Sequence, residues 1–158
     1  MKNNIEWIIH LCANGNCDEC GKREEGFLPY TCNAHTHGME RYGHMDFQLV
    51  LNMKAAEIGR ILNTFGLWVQ SGRRFKAGDM VSDIYLDCDV RLDEFEETGR
   101  KVLRVIIPDA ENRFPEDEDC MEVYRLQRLE TDDLWRKDGT VSLRLQSIKS
   151  YRNWIMII

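Results

Sequence analysis

His44-Met45-Asp46-Phe47-Gln48-Leu49-Val50-Leu51 places Met45, Phe47, Leu49 and Leu51 on one side of an extended chain and His44, Asp46 and Gln48 on the other. Successive side chains of a strand point to opposite faces, so this period of two predicts a strand with a core face and a polar face. Asn52 then stands where an N-cap belongs, and Ile58, Ile61, Leu62, Phe65 and Val69 recur at helical spacing up to a Ser71-Gly72 stop. A strand followed at once by a long amphipathic helix is a unit in which the helix covers the strand's apolar face.

Working outward, residues 5–11 are β-branched and aromatic enough for a first strand, and 27–31 for a short second one. Glycines at 38 and 43 bracket a turn, and Ala77-Gly78-Asp79 makes another, leading into Met80-Val81. Residues 85–92 alternate again, and 101–107 form a further strand stopped by Pro108. An acidic loop spans 109–119, and 123–129 suits a short helix. The tail 139–158 carries Val141, Leu143, Leu145 and a terminal Trp-Ile-Met-Ile-Ile run, which suits a docked strand or a contact between copies in a homo-oligomer. The expected fold is α+β: a mainly antiparallel sheet, one long amphipathic helix packed on it, and a second short helix.

A length of 158 residues with 43% hydrophobic content suits one domain, 1–158, with a Cys-containing segment 1–24, a core 25–130 and a tail 131–158. A net charge of −6 argues against binding nucleic acid by phosphate neutralisation. The basic clusters Arg73-Arg74-Lys76 and Arg100-Lys101-Arg104 read as solvated faces. No apolar run is long enough to span a membrane and residues 1–4 lack an export pattern, so the expected location is the cytoplasm and the six cysteines are expected to be reduced.

The chemistry concentrates between His10 and Gln48. His35 and His37 in His35-Thr36-His37-Gly38 project to the same side if the backbone is extended there, and His44, Asp46 and Gln48 share the polar face of the strand that follows. Across a hairpin these five groups would line one pocket for a metal or a small molecule. His35, His37, His44 and Asp46 suit Zn²⁺ or another divalent ion with an open position for water, and hydrolysis is one use of such a site. A separate set, Cys17 and Cys20 as a Cys-x2-Cys knuckle with Cys32 and His35, has the spacing of a structural zinc site. Cys32 beside His35 or His37 is also a candidate nucleophile, whereas no nucleotide or flavin signature is present.

Tyr30-Thr31, His35-Thr36-His37-Gly38-Met39, Gly43-His44-Met45-Asp46-Phe47-Gln48, Phe75 and Gly78 after the helix, Ile107-Pro108-Asp109, Phe114-Pro115 and Asp119-Cys120 occur in that order. Over roughly residues 25–130 the chain resembles a bacterial family of unknown function, the one numbered four-two-six-two. The resemblance implies no activity; it marks the His-Thr-His-Gly and Gly-His-x-Asp-Phe-Gln motifs as hallmark positions. Cys12, Cys17, Cys20 and the chain after Trp135 depart from the pattern.

Two functional expectations follow. The first is a metal- or small-molecule-binding His/Asp pocket with hydrolytic potential. The second is a non-enzymatic, zinc-stabilised interaction or inhibitor protein, such as a defence-related factor, whose acidic surface meets a basic protein partner.

Overall fold

The computed structural model describes residues 4–12 and 27–135. Its strands are β1 (Ile8–Cys12), β2 (Thr31–His37), β3 (Asp46–Leu51), β4 (Met80–Val81), β5 (Val90–Glu97) and β6 (Arg100–Ile106). Helix α1 (Ala55–Gln70) follows β3, and the single turn α2 (Glu122–Arg125) follows β6. The six strands make one sheet in the order β1-β2-β3-β6-β5-β4. The fold is α+β.

The sheet is mixed. β3 and β6 run parallel, while every other neighbouring pair is antiparallel. The parallel pair has a covalent cause. After β3 the chain crosses one face as α1 before β4 and β5 add at the far side. The hairpin Thr98-Gly99, both residues at positive φ as a tight two-residue turn demands, then sends β6 back beside β3. β3 is therefore central and covered on both faces, and all six of its residues are buried. The polar face read from its alternation exists, but it is interior rather than wet.

Phe47, Leu49 and Leu51 of β3 join Leu92, Leu103 and Val105 from neighbouring strands against Ile58, Ile61, Leu62, Phe65 and Val69 of α1. Phe47 stacks on Phe65 with ring centroids 4.9 Å apart. The helical stripe is core, as its spacing predicts. Helix α1 nevertheless begins later than expected, with Lys54 at its N-cap and no side-chain cap; Asn52 instead prolongs the pairing of β3 with the chain before β2, its N–H donating to the Tyr30 carbonyl. Gly72 ends it at φ 111°, a left-handed turn in which its N–H reaches the Val69 carbonyl.

Three other expectations shift. Residues 85–89 are not strand, and Leu86 is 68% exposed; the strand lies at β5, where paired charged residues hid it from a hydrophobic pattern. Residues 27–30 contribute one bridge, Phe27 to Trp135, and the second strand starts at Thr31. The second helix is one α turn continued as a tighter 3-10 turn over Leu126–Arg128, wound around the Gln127 side chain. That amide donates to the carbonyls of Ile107 and Tyr124 and accepts from the Ile107 N–H. The tail 139–158 lies outside the described residues. Among those described, no helix is long and apolar enough to cross a membrane.

The acidic loop is partly internal. Asp109 is buried, and its carboxylate accepts from the N–H groups of Glu111, Arg113 and Met121 and from the Arg113 guanidinium. Burial alone would raise its pKa, but these donors hold it below the usual carboxylate range. Glu116 pairs with Arg91.

The N-terminal segment docks on α1 through Trp7, whose Nε1 donates to Asn63 Oδ1 at 2.9 Å. A Cβ on Gly66 would sit 2.4 Å from the Trp7 ring. Gly66→Ala is expected to destabilise the protein by about 1–3 kcal/mol through this overlap, despite alanine's better helix propensity. Chemical denaturation measures it; an unchanged or raised midpoint would show that Trp7 is not seated there.

Candidate metal centre

One row of side chains crosses the sheet on the face opposite α1. His10 of β1 pairs with His35 of β2, His35 with Gln48 of β3, Gln48 with Arg104 of β6, and Arg104 with Asp93 of β5. Directly paired residues share a face, so five adjacent strands present His, His, Gln, Arg and Asp in line. His37, two residues beyond His35, joins the same face, with its ring centroid 4.9 Å from that of His35 and 4.5 Å from that of His10.

His10, His35 and His37 each offer one nitrogen within 4.8 Å of the others. Two nitrogens bound about 2.1 Å from one tetrahedral ion lie about 3.4 Å apart, so small imidazole rotations close the set. This group can hold a metal ion. His35 is fully buried, and His37 and His10 are half-buried. The His37 Nε2 atom is itself buried and makes no hydrogen bond among the described residues.

The surroundings favour the neutral form of His35 and His37. Burial pushes the His35 pKa down to about 4, Glu97 opposing in part while His37, Arg100 and His10 add to the fall. Burial, then the charges of Arg100 and His10, lowers His37 as well. Glu97 Oε1 lies 3.6 Å from His35 Nε2. Burial raises the Glu97 carboxyl, but the Thr98 hydroxyl, His35 and Arg100 outweigh it and hold it below its ordinary value. Arg100 also reaches Asp46 and the Thr36 carbonyl, tying β3 and β6 together beside the cluster.

Of the residues singled out in the sequence, His35, His37 and Gln48 share this face, and Asp46 borders it. Asp46 is fully engaged, accepting from the Thr36 hydroxyl, the Met39 N–H and Arg100. His44 is elsewhere. β3 starts only at Asp46, after the 3-10 turn Met39–Tyr42 and a left-handed Gly43, so the alternation does not extend back to His44. Its ring stacks on Phe47 at 5.3 Å, against the α1 core; Nδ1 lies 2.7 Å from the Met45 carbonyl and Nε2 accepts from the Phe75 N–H. Both nitrogens are used, on the wrong side of the sheet for His35.

Cys32 also faces α1. It belongs to the core with Ala34 and Leu49, and its thiol donates to the Leu49 carbonyl. Burial pushes its pKa up to about 12, which suits neither a zinc-bound thiolate nor an activated nucleophile. Three residues apart on β2, Cys32 and His35 point to opposite faces and do not share an ion. Cys17 and Cys20 lie outside the described residues.

Composition and spacing did not reveal His10, Glu97, Arg100 and Arg104. Arg104 was expected in solvent and is completely buried. The available signal was His10 at an inward position of a strand that could pair with the His-Thr-His strand. No family model matches the chain, and no curated protein or solved structure is significantly similar to it.

A histidine kept neutral by burial makes stability depend on pH. Its folded pKa lies below the unfolded value of about 6.5, so the unfolded chain takes the proton first and stability is lost as pH falls from about 6.5 towards 4. Metal-free protein is expected to lose on the order of 1–3 kcal/mol from this group across that window. Urea titrations from pH 7.5 to 4.5 check it: His35→Gln should flatten the dependence, and an identical slope in that variant would assign the effect elsewhere.

Proposed function

We propose that this protein binds a divalent transition-metal ion through His10, His35 and His37 and keeps a coordination position open for water or a small molecule. The observation that carries the reading is the convergence of three imidazole nitrogens from two adjacent strands, together with a buried His37 Nε2 that has no hydrogen-bond partner among the described residues. A set of imidazoles suits zinc, iron, copper or nickel rather than magnesium or calcium. Three protein ligands with an open position is the arrangement of catalytic rather than structural zinc sites. A metal held there by His10, His35 and His37 would lower the pKa of a bound water towards about 7 and so supply hydroxide, and hydrolysis is the reaction class that the site supports best.

We also place the chain with the four-two-six-two family on its motifs. In this reading the His-Thr-His-Gly motif supplies two ligands. The Gly-His-x-Asp-Phe-Gln motif divides its work: His44 closes the helix-side core, Asp46 anchors Arg100, and Gln48 supports His35 from behind. The interaction-protein alternative has less support, since Cys32 is turned away and Asp109 and Glu116 of the acidic loop are internally paired.

Titration of chelator-treated protein with Zn²⁺ and Co²⁺ tests the proposal. One equivalent is expected to bind, with Co²⁺ giving the visible absorption of a four- or five-coordinate nitrogen and oxygen site. His10→Ala and His37→Ala should each weaken binding at least tenfold while changing stability by less than about 1 kcal/mol. His44→Ala should leave affinity unchanged. No binding by the wild type, or equal loss in His44→Ala, would overturn the assignment.

A further inference from the structure

The hydrogen bonds behind His35 run in one direction. Arg104 Nε can only donate, and it reaches Gln48 Oε1 at 2.8 Å. That contact decides which way the Gln48 amide points: its Nε2 faces Asn33 Oδ1 at 3.0 Å and Thr131 Oγ1 at 3.2 Å. The Thr131 hydroxyl donates to the Glu96 carbonyl, so its oxygen is left to accept from Gln48. The Asn33 oxygen likewise accepts from Gln48, and the same oxygen lies 3.0 Å from His35 Nδ1. An acceptor in that place requires the imidazole hydrogen on Nδ1, leaving the lone pair on Nε2.

We propose that Arg104, Gln48 and Asn33 are positioning residues: together they hold His35 in its Nδ1–H tautomer and so present Nε2 to His10 and His37. The purpose of the relay rests on the metal-binding reading above; the tautomer itself is a property of the metal-free protein.

The relay has no solvent to substitute for it. Asn33, His35, Gln48 and Arg104 are all essentially unexposed, so each missed hydrogen bond would leave a buried polar group unpaired. Nor is Arg104 free to turn. Its remaining donors reach the carbonyls of Gln127 and Leu129 and the Thr131 hydroxyl, and its guanidinium lies 3.5 Å from the centre of the Phe95 ring. A donor-only group at one end and a fixed orientation at every amide determine the proton's position at the other end. A metal-ligating histidine of the wrong tautomer has its hydrogen where the ion should be, and losing such outer support typically weakens binding 10–100-fold.

Gln48→Glu reverses the relay. A carboxylate still accepts from Arg104 but cannot donate to Asn33, so the Asn33 amide turns over to donate to it and, with its second hydrogen, to His35 Nδ1. Nitrogen-15 NMR of metal-free protein at pH 8 should show His35 protonated on Nδ1 in the wild type and on Nε2 in Gln48→Glu, with Zn²⁺ affinity at least tenfold lower in the variant. Asn33→Asp retains an acceptor beside Nδ1 and should keep the wild-type tautomer and an affinity within about threefold, whereas Asn33→Leu should keep neither. This second pair decides the matter if Gln48→Glu does not fold. An Nε2–H tautomer in the wild type, or an unchanged tautomer in folded Gln48→Glu, would overturn the relay. A tautomer that reverses as expected in a protein that binds no Zn²⁺ would support the relay and overturn the metal reading.

Discussion

A guanidinium with no exposed surface sits at the middle of the sheet, and much of the molecule is arranged around it. Burial pulls the Arg104 pKa down to about 9, with Glu130 and Asp93 countering in part, so it remains a cation at neutral pH. A buried cation is costly unless its donors are satisfied. Gln48 from β3, two carbonyls and a hydroxyl from residues 127–131, and the face of Phe95 from β5 supply those partners. The same side chain therefore fastens the C-terminal described segment across the sheet and orients the amides behind His35. Breaking it would leave an unpaired charge inside the protein, the kind of loss that ranges from about 3 to 5 kcal/mol.

The two faces of the sheet obey different physics. On the α1 side, Phe47, Leu49, Phe65 and their neighbours give a non-directional apolar core that tolerates small shifts. Among the described residues, the other side combines a small apolar cluster of Cys12, Phe27, Val50, Leu134 and Trp135, and the buried Val102 and Ile106 of β6, with a band of polar groups that must satisfy donors with acceptors one by one. Directional bonding specifies geometry more narrowly than apolar contact does. That is the face on which three histidines meet, and side chains that need fixed orientations are provided for there.

Lining the row His10, His35, Gln48, Arg104 and Asp93 required register across five strands, only two of which adjoin in sequence as a tight hairpin. The strand of residues 46–51, the extended His-Thr-His segment and the helical stripe were legible because each depends on a short-range period. His44 was misplaced by the same rule: the period of two held only while the backbone stayed extended, but a 3-10 turn with left-handed Gly43 stands immediately before His44 and β3 starts only at Asp46. Strand β5 was read only through its first three residues, Val90 to Leu92, because Asp93, Glu94, Glu96 and Glu97 look like a solvated run, although Glu97 is buried beside Arg100 and His35.

Short-range pattern was enough for the α+β class, for an amphipathic helix after residue 52 with its inward stripe, and for His35 and His37 falling on one side wherever the backbone is extended, since local periodicity dictates all three. Only the tertiary structure decided that His10 completes their group, that His44 and Cys32 do not, and that Arg104 is interior. Those outcomes depend on which strands become neighbours and on which face each element covers. The parallel pairing of β3 with β6 settled the last of them by bringing together Gln48 and Arg104, 56 positions apart, a separation at which no local pattern carries information.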